Sequence, residues 1–471
     1  MLEATVTIIG GGLAGCEAAW QAARRGCAVR LFEMRPAVRT PAHGTDRLAE
    51  LVCSNSLKSE SLEDASGLLK AEMRALGSVI LECAEANRVP AGSALAVDRE
   101  RFAAAVTEGI TGHPRIQVIR DEVPELPAER PIIVATGPLT SDRLSSDLAQ
   151  RFAASLGSPG TRPAGLGAAL GTPSPTPSPQ PPAPRWLYFY DAISPIVSAD
   201  SIDDTIAFAA ARYGKGGADY LNCPMTRDEY LAFREALLKG ERYPLHEFEE
   251  PKYFEGCLPV EELAQRGEDA LRFGPMRPVG LANPRTGKRP YAVVQLRQEN
   301  RGPDGRPTMY NLVGFQTRLR RGDQLKALHL IPGLQTAEIL RYGSVHRNTF
   351  ITAPLLLRDT LQFHGDPAVF FAGQLTGVEG YLESAASGLL AGINAVRLTR
   401  EQDPCSLPPT TMLGALLRYL TQADPATFQP INANFGLLPP LARIVRDRRE
   451  RNLLLVDRAL ADFRAWQQNP E

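Results

Sequence analysis

The residues of this chain best placed for chemistry are a run of glycines, a thiol among hydroxyls and a cluster of arginines. In TIIGGGLAG, Gly10, Gly12 and Gly15 fill the spacing GxGxxG, with Gly11, Leu13 and Ala14 between them. That spacing suits a pyrophosphate. The first glycine permits a tight turn, the second lets the backbone approach the phosphates, and the third lets the following helix lie close to its strand with its N-terminus facing the ligand. Glu33 stands eighteen residues beyond Gly15, where an acid can hold a ribose hydroxyl pair. In LVCSNSLKSES, Cys53 is flanked by Ser54, Asn55 and Ser56, which offer hydrogen bonds rather than apolar cover, and Lys58 stands where it would favour a thiolate. A second thiol, Cys223, lies in LNCPM ahead of Pro224, a residue without an N–H donor.

In QTRLRRGDQLK, Arg318, Arg320, Arg321 and Lys326 come together, enough for a phosphate-binding patch on a chain whose formal net charge is only −1. With Lys+Arg at 52 and Asp+Glu at 53, the whole-protein field does not draw in polyanions, so any nucleic-acid contact has to be local. The seven cysteines include no CxxC pair, which points to free thiols in a reducing cytoplasm and to no metal site. Cys16 and Cys27 fall in the glycine-rich unit and are expected in the core, with Cys83 and Cys405 structural. No run of about 18 apolar residues is present, so no membrane span is expected.

These residues need elements to position them. ATVTIIGGGLAGCEAAWQAARRGCAVRLFEMRP reads as strand, glycine turn, amphipathic helix and strand, a βαβ unit. Residues 62–87 read as helical, followed by a helix and strand over SALAVDRERFAAAVTEGI and RIQVIRDEV. PIIVATGPLT is an apolar strand with an Ala135-Thr136-Gly137 exit of the kind found in dinucleotide flavoproteins. AVFFAGQLTGVEGYLESAASGLLAGINAVRL is a further strand ending at Gly373-Gln374, a glycine-dotted loop, and a small-residue helix beginning near Glu383.

At 471 residues, with 44% hydrophobic and 22% charged, the chain exceeds one ordinary core. The reading is an α/β protein: a Rossmann-like FAD-binding domain of the glutathione-reductase type with a smaller α/β domain inserted. The first domain takes residues 1–154 and 329–403, the insert 186–328, and a helical tail 404–471. Between them, 155–185 is a proline-rich linker that holds nine prolines over 157–184 and reads as disordered. No second GxGxxG occurs in the insert, so a nicotinamide cofactor would have to visit the flavin through a shared cleft.

The blocks IIGGGLAGCEAAWQAARRG, LVCSNSLKS, LNCPM, FEGCLPVEELAQRGEDALRFGPMRPVGL, YNLVGFQTRL and FFAGQLTGVEGYLESAASGLLAGINA resemble the folate- and FAD-dependent tRNA (uracil-5-)-methyltransferases over nearly the whole chain. The proline-rich insert departs from that pattern. The wobble-uridine-modifying tRNA flavoproteins are related and share a G-x-x-G-Y-x-E-S loop, but they are longer at the C-terminus and differ at the Cys53 block.

The resemblance implies FAD on Gly10 to Gly15, Glu33, Gly373 and Gln374, with methylenetetrahydrofolate and NAD(P)H as co-substrates and tRNA as partner. It makes Cys53 and Cys223 the catalytic pair, His346 the folate-stacking residue with Arg347 beside it, and 5-methyluridine in the T-loop the product. The chemistry suits a thiol: carbon 5 of uracil becomes nucleophilic only after a thiolate adds at carbon 6. Which thiol attacks stays open. Other readings are the wobble-uridine branch, a small-molecule FAD oxidoreductase without RNA, and a non-catalytic tRNA-binding flavoprotein.

Overall fold

The computed structural model describes residues 4–40, 42–157, 187–214, 217–243, 258–302 and 304–468. The expected βαβ unit is present as strand Thr5–Ile9, helix Leu13–Arg24 and strand Ala28–Phe32. Their parallel pairing runs from Thr5 opposite Ala28 to Ile9 opposite Phe32. Ile132–Val134 adds on the other side of the first strand, then Asp366–Phe371, while Ile116–Ile119 closes the far edge. Gln362–Phe363 is the only antiparallel strand of this six-stranded sheet. The central strands are apolar on both faces, as a parallel sheet covered by helices requires.

The small residues of the two helices that follow the first and last of these strands explain their contact. Helix Tyr381–Thr399 lies so close to Leu13–Arg24 that a Cβ on Gly388 would stand 2.1 Å from the Ala14 carbonyl oxygen, and one on Gly392 2.6 Å from that of Ala18. Only glycine allows these approaches. Residues 62–87 form helices Ala65–Ala75 and Val79–Ala86, and a small sheet of Ser56–Ser59, Ala94–Val97 and Arg88–Val89 packs beside them.

The inserted domain is an antiparallel sheet in the order Phe208–Ala209, Tyr220–Met225, Ala292–Gln298, Met309–Leu312, Ile196–Ser198 and Ile339–Arg341. Its own apolar core is covered by helix Arg227–Lys239, which begins with a Thr226/Glu229 capping box. Because Ile339–Arg341 pairs with Ile196–Ser198, the insert reaches past residue 328 to Arg341. The chain passes between domains through Leu187–Ile193 and Ser344–Phe350, paired antiparallel. The first-domain helix Asp142–Gly157 runs into the stretch read as linker; residues 158–186, where disorder was expected, lie outside the described residues.

The tail is helical, at Met412–Gln422 and Arg448–Gln468. The stripe of Leu455, Val456, Ala459 and Phe463 on the second helix joins the first-domain core. No helix among the described residues is long and apolar enough to cross a membrane.

Candidate active site

Strand Thr5–Ile9 ends in a turn that only glycines can make. Gly10 has φ +107°, and a Cβ there would meet the Ala135 carbonyl oxygen at 2.4 Å; a Cβ on Gly15 would meet the Gly10 oxygen at 1.8 Å. Gly12 differs. It is the N-cap of helix Leu13–Arg24 with no capping side chain, and a Cβ on it meets nothing within 4 Å. The first-turn amides of that helix and the open space beside Gly12 form a cradle for an anion.

That space belongs to a cavity of about 400 Å³ lined by Gly10 to Ala14, Glu33, Cys53, Lys58, Gly373, Gln374, Gly380 and Tyr381. The two strand ends that carry glycine motifs therefore open onto one cavity. Gly373 stands at φ +79° with its N–H donated to Ser387 Oγ at 2.8 Å, and Gln374 donates to Glu379 at 3.1 Å.

Glu33 lines the cavity but already has partners. Its carboxylate accepts the Gly11 N–H at 2.9 Å, the Arg35 N–H at 3.0 Å and Arg35 Nε at 2.9 Å. Burial alone would raise its pKa; the hydrogen bonds and charge of Arg35, with the Gly11 amide, hold it below the ordinary carboxylate value. Its role in this structure is to brace the glycine turn from below, leaving one carboxylate lone pair for a hydroxyl.

Cys53 is held by groups from distant segments. The Tyr381 phenol oxygen accepts the N–H of Cys53 at 2.6 Å and of Ser54 at 3.1 Å. Arg99 donates to the Leu51 carbonyl at 2.8 Å, Arg341 to that of Val52 at 3.0 Å, and Arg297 to Ser54 Oγ at 2.8 Å. Arg99 is paired with the buried Glu299 at 2.9 Å. Tyr381 is pushed far up from the ordinary phenol range by burial first and by Cys53 second. The thiol loop is thus anchored by both domains, because Arg297 and Arg341 come from the inserted sheet.

Lys58, expected to favour the thiolate, has Glu383 as its ion-pair partner. Its ammonium lies 2.7 Å from Glu383 Oε1, a carboxylate that is fully buried.

Cys223 is not brought to this cavity. It lies in strand Tyr220–Met225, 0% exposed in the core of the inserted domain, and burial pushes its thiol up to about 12. Cys53, its expected partner, lines the cavity, whereas Cys223 is not among the cavity's lining residues. Backbone pairing sets His346 opposite Asp191 and Arg347 opposite Tyr190 in the connecting strands, and their side chains lie outside the described residues.

The basic cluster divides. Arg318 is half-buried and bound to Glu262 at 2.7 Å, so it is no free phosphate ligand. Arg320 and Lys326 are exposed with Glu241 and Asp323 as partners at 3.4 and 3.0 Å, and Arg321 lies over the Tyr342 ring. Arg99, Arg297, Arg341 and Tyr381 had no assigned role from sequence. The only available signal was Tyr381 inside the quoted GYLES loop.

The family model described as glucose inhibited division protein A matches residues 5–403. A protein of Geobacter sulfurreducens named methylenetetrahydrofolate--tRNA-(uracil-5-)-methyltransferase TrmFO is 54% identical over 466 residues, 99% of each chain. One of the same name from Moorella thermoacetica is 55% identical over 455 residues, 97% of this chain and 96% of that one. This chain belongs to that family. The GidA structure of Aquifex aeolicus in its form I crystal shares the fold at TM-score 0.66 and 16% identity, covering 98% of this chain and 76% of that one. The family's dinucleotide flavin fits the residues present: the open face of Gly12, two uncapped helix N-termini and the glycine-lined walls suit a pyrophosphate joined to a planar ring.

Proposed function

We propose that this chain methylates carbon 5 of a T-loop uracil in tRNA, taking the carbon from methylenetetrahydrofolate, with FAD along the glycine-lined cavity and NAD(P)H as electron source. The observation that carries the reading is that Cys53 and the Gly10 to Gly15 turn line one cavity, in a chain that matches its methyltransferase relatives from end to end.

Cys53 Sγ adds as thiolate to uracil carbon 6, and the electron pair displaced from the ring double bond makes carbon 5 the nucleophile. Carbon 5 bonds the methylene of methylenetetrahydrofolate as the first of its carbon–nitrogen bonds breaks. Loss of the carbon-5 proton to a base expels the second folate nitrogen and leaves an exocyclic methylene, and arrival of a hydride equivalent at that carbon expels the Cys53 thiolate and restores the ring. When bound, the flavin supplies the hydride equivalent that takes the carbon from methylene to methyl. The chain's own part is positioning: Tyr381, Arg99 and Arg341 tie the backbone on either side of Cys53, which holds the sulfur where a flipped base can meet it. In the arrangement described, only Cys53 of this pair reaches the cavity. RNA phosphates are assigned to Arg320, Arg321 and Lys326, since exposed ion pairs exchange partners at little cost.

Purified chain is incubated with unmodified tRNA transcript, methylenetetrahydrofolate and NADPH, and digested nucleosides are read by mass spectrometry. Appearance of 5-methyluridine, dependent on all components, is the expected result. Its absence with FAD-loaded protein overturns the reading.

A further inference from the structure

Lys58 combines features that the mechanism above does not use. It sits in the short strand Ser56–Ser59 at φ +66°, a left-handed conformation that side chains other than glycine seldom adopt, where the pairing with Ala94–Val97 shifts register. Leu57 before it is buried in the first-domain core, while Lys58 itself lines the cavity. The backbone thus holds a disfavoured shape that delivers a lysine to the cavity wall.

The ammonium is fixed from behind. Glu383, 0% exposed, holds it at 2.7 Å through Oε1, and the same oxygen accepts the Ala433 N–H at 2.9 Å. Glu383 Oε2 is buried without a hydrogen-bond partner and points at Gly380, where a Cβ would stand 2.4 Å from it and 2.9 Å from Lys58 Nζ. Gly380 is the uncapped N-cap of helix Tyr381–Thr399. Behind them, the buried Lys70 ammonium donates to the carbonyls of Lys58 at 3.4 Å and Ser59 at 2.8 Å. Lys58, Lys70 and the helix N-terminus face Glu383, with Glu60 acting on Lys70 and Glu379 on the cavity wall, so the Lys58 ammonium is the positive group presented at this corner. An ammonium has three donors and Glu383 takes one, so the others are free to face the cavity. The next residue along the helix, Tyr381, holds the Cys53 loop, so this positive corner stands at the reacting end of the cavity.

We propose that Lys58, held by Glu383, donates to the electron-rich edge of the bound flavin ring and favours its reduced form, an inference that rests on the FAD reading above. A flavin gains negative charge on its ring when reduced, and a fixed cation beside that edge is a protein's means of tuning its electronics. The observations favour this over a role toward the thiol, because the lysine's fixed partner is on helix Tyr381–Thr399, whose uncapped N-terminus lines the cavity, and not on the Cys53 loop.

The test uses the full chain loaded with FAD, with bound flavin counted by absorbance and its reduction equilibrated against a reference dye. Lys58→Met removes the charge, and Lys58→Gly removes it in a residue that accepts φ +66°, so at least that variant is expected to fold. Both should retain FAD while the ratio of reduced to oxidised flavin at fixed potential falls about tenfold, ~30 mV for a two-electron couple. Lys58→Arg should recover most of the loss. A wild-type ratio in a FAD-loaded Met or Gly variant overturns the inference, as does loss of FAD from both, which makes Lys58 a structural residue. Failure of the wild-type chain to bind FAD at all would instead defeat the cofactor reading beneath it.

Discussion

The phenol oxygen of Tyr381 accepts the backbone N–H of Cys53 at 2.6 Å. The first residue of helix Tyr381–Thr399 thereby fixes the height of the thiol, with the Ser54 N–H as a second donor at 3.1 Å. Tyr381→Phe keeps the ring and leaves both amides without their acceptor. FAD content should stay at the wild-type level while methyl transfer falls about 10- to 100-fold, the cost of misplacing a reacting group by a fraction of its radius. Unchanged single-turnover rates would show that the arginines hold the loop unaided.

The glycines of the turn should fail in different ways. Gly15→Ala drives a methyl to 1.8 Å from the Gly10 carbonyl oxygen, backbone against backbone, so the βαβ unit has to open and soluble protein should be lost. A Cβ on Gly12 meets no protein atom within 4 Å, so Gly12→Val should fold with a melting temperature near that of wild-type apoprotein. Its side chain occupies the space assigned to the pyrophosphate, and flavin absorbance should be nearly absent. A Gly12→Val protein with full FAD occupancy would move the cofactor elsewhere.

The contrast between these glycines shows what a sequence carries. The GxGxxG turn was legible because its causes are local: a strand, a turn and a helix within a few residues of one another. Lys58 was read beside Cys53, whereas the partner the fold brings to it, Glu383, is 325 residues away. Arg318 looked like a surface cation until the fold set Glu262 against it from helix Val260–Gln265. Cys223 has polar neighbours along the chain, yet its side chain packs in the apolar core of the inserted domain, so close to Gly333 that a Cβ there would stand 3.6 Å from its sulfur. The inserted domain's limit was misplaced for the same reason, because Ile339–Arg341 declares its membership only through pairing with Ile196–Ser198. Tyr381 and the arginines behind Cys53 converge from segments that share no local pattern.

A buried acid ties the tail to the first domain. The carboxylate of Glu72, 0% exposed, accepts the N–H groups of Met412 and Leu413 at 2.7 and 2.9 Å, capping helix Met412–Gln422. Burial raises its pKa from 4.5 to about 8, outweighing the two amides. The folded chain therefore keeps a proton that the unfolded chain releases near pH 4.5. This contribution to stability is fully present below that pH and is lost as pH rises through about 8. Melting temperature should fall between about pH 5 and 8 in the wild type, and the slope should be shallower in Glu72→Gln, which does not titrate. Parallel slopes would assign the dependence to other groups.

The thiols offer the most direct check of the site. Cys53 lines the cavity, whereas Cys223 is fully buried with its thiol pushed up to about 12 by loss of solvent. Brief treatment of the folded protein with iodoacetamide at neutral pH, followed by peptide mass spectrometry, should label Cys53 at least about 100-fold faster than Cys223, because only an accessible thiolate reacts. Equal labelling would mean that the inserted sheet opens readily and would return Cys223 to the cavity as a partner thiol. Cys53→Ser should retain FAD, accept electrons from NAD(P)H, and lose methyl transfer by about 10²-fold or more, the scale of removing a positioned reacting group. A tRNA fragment with 5-fluorouracil at the target position should form a covalent complex with wild type and none with Cys53→Ser, since fluorine at carbon 5 cannot leave as a proton does. A complex that persists in the variant would assign carbon-6 attack to another thiol.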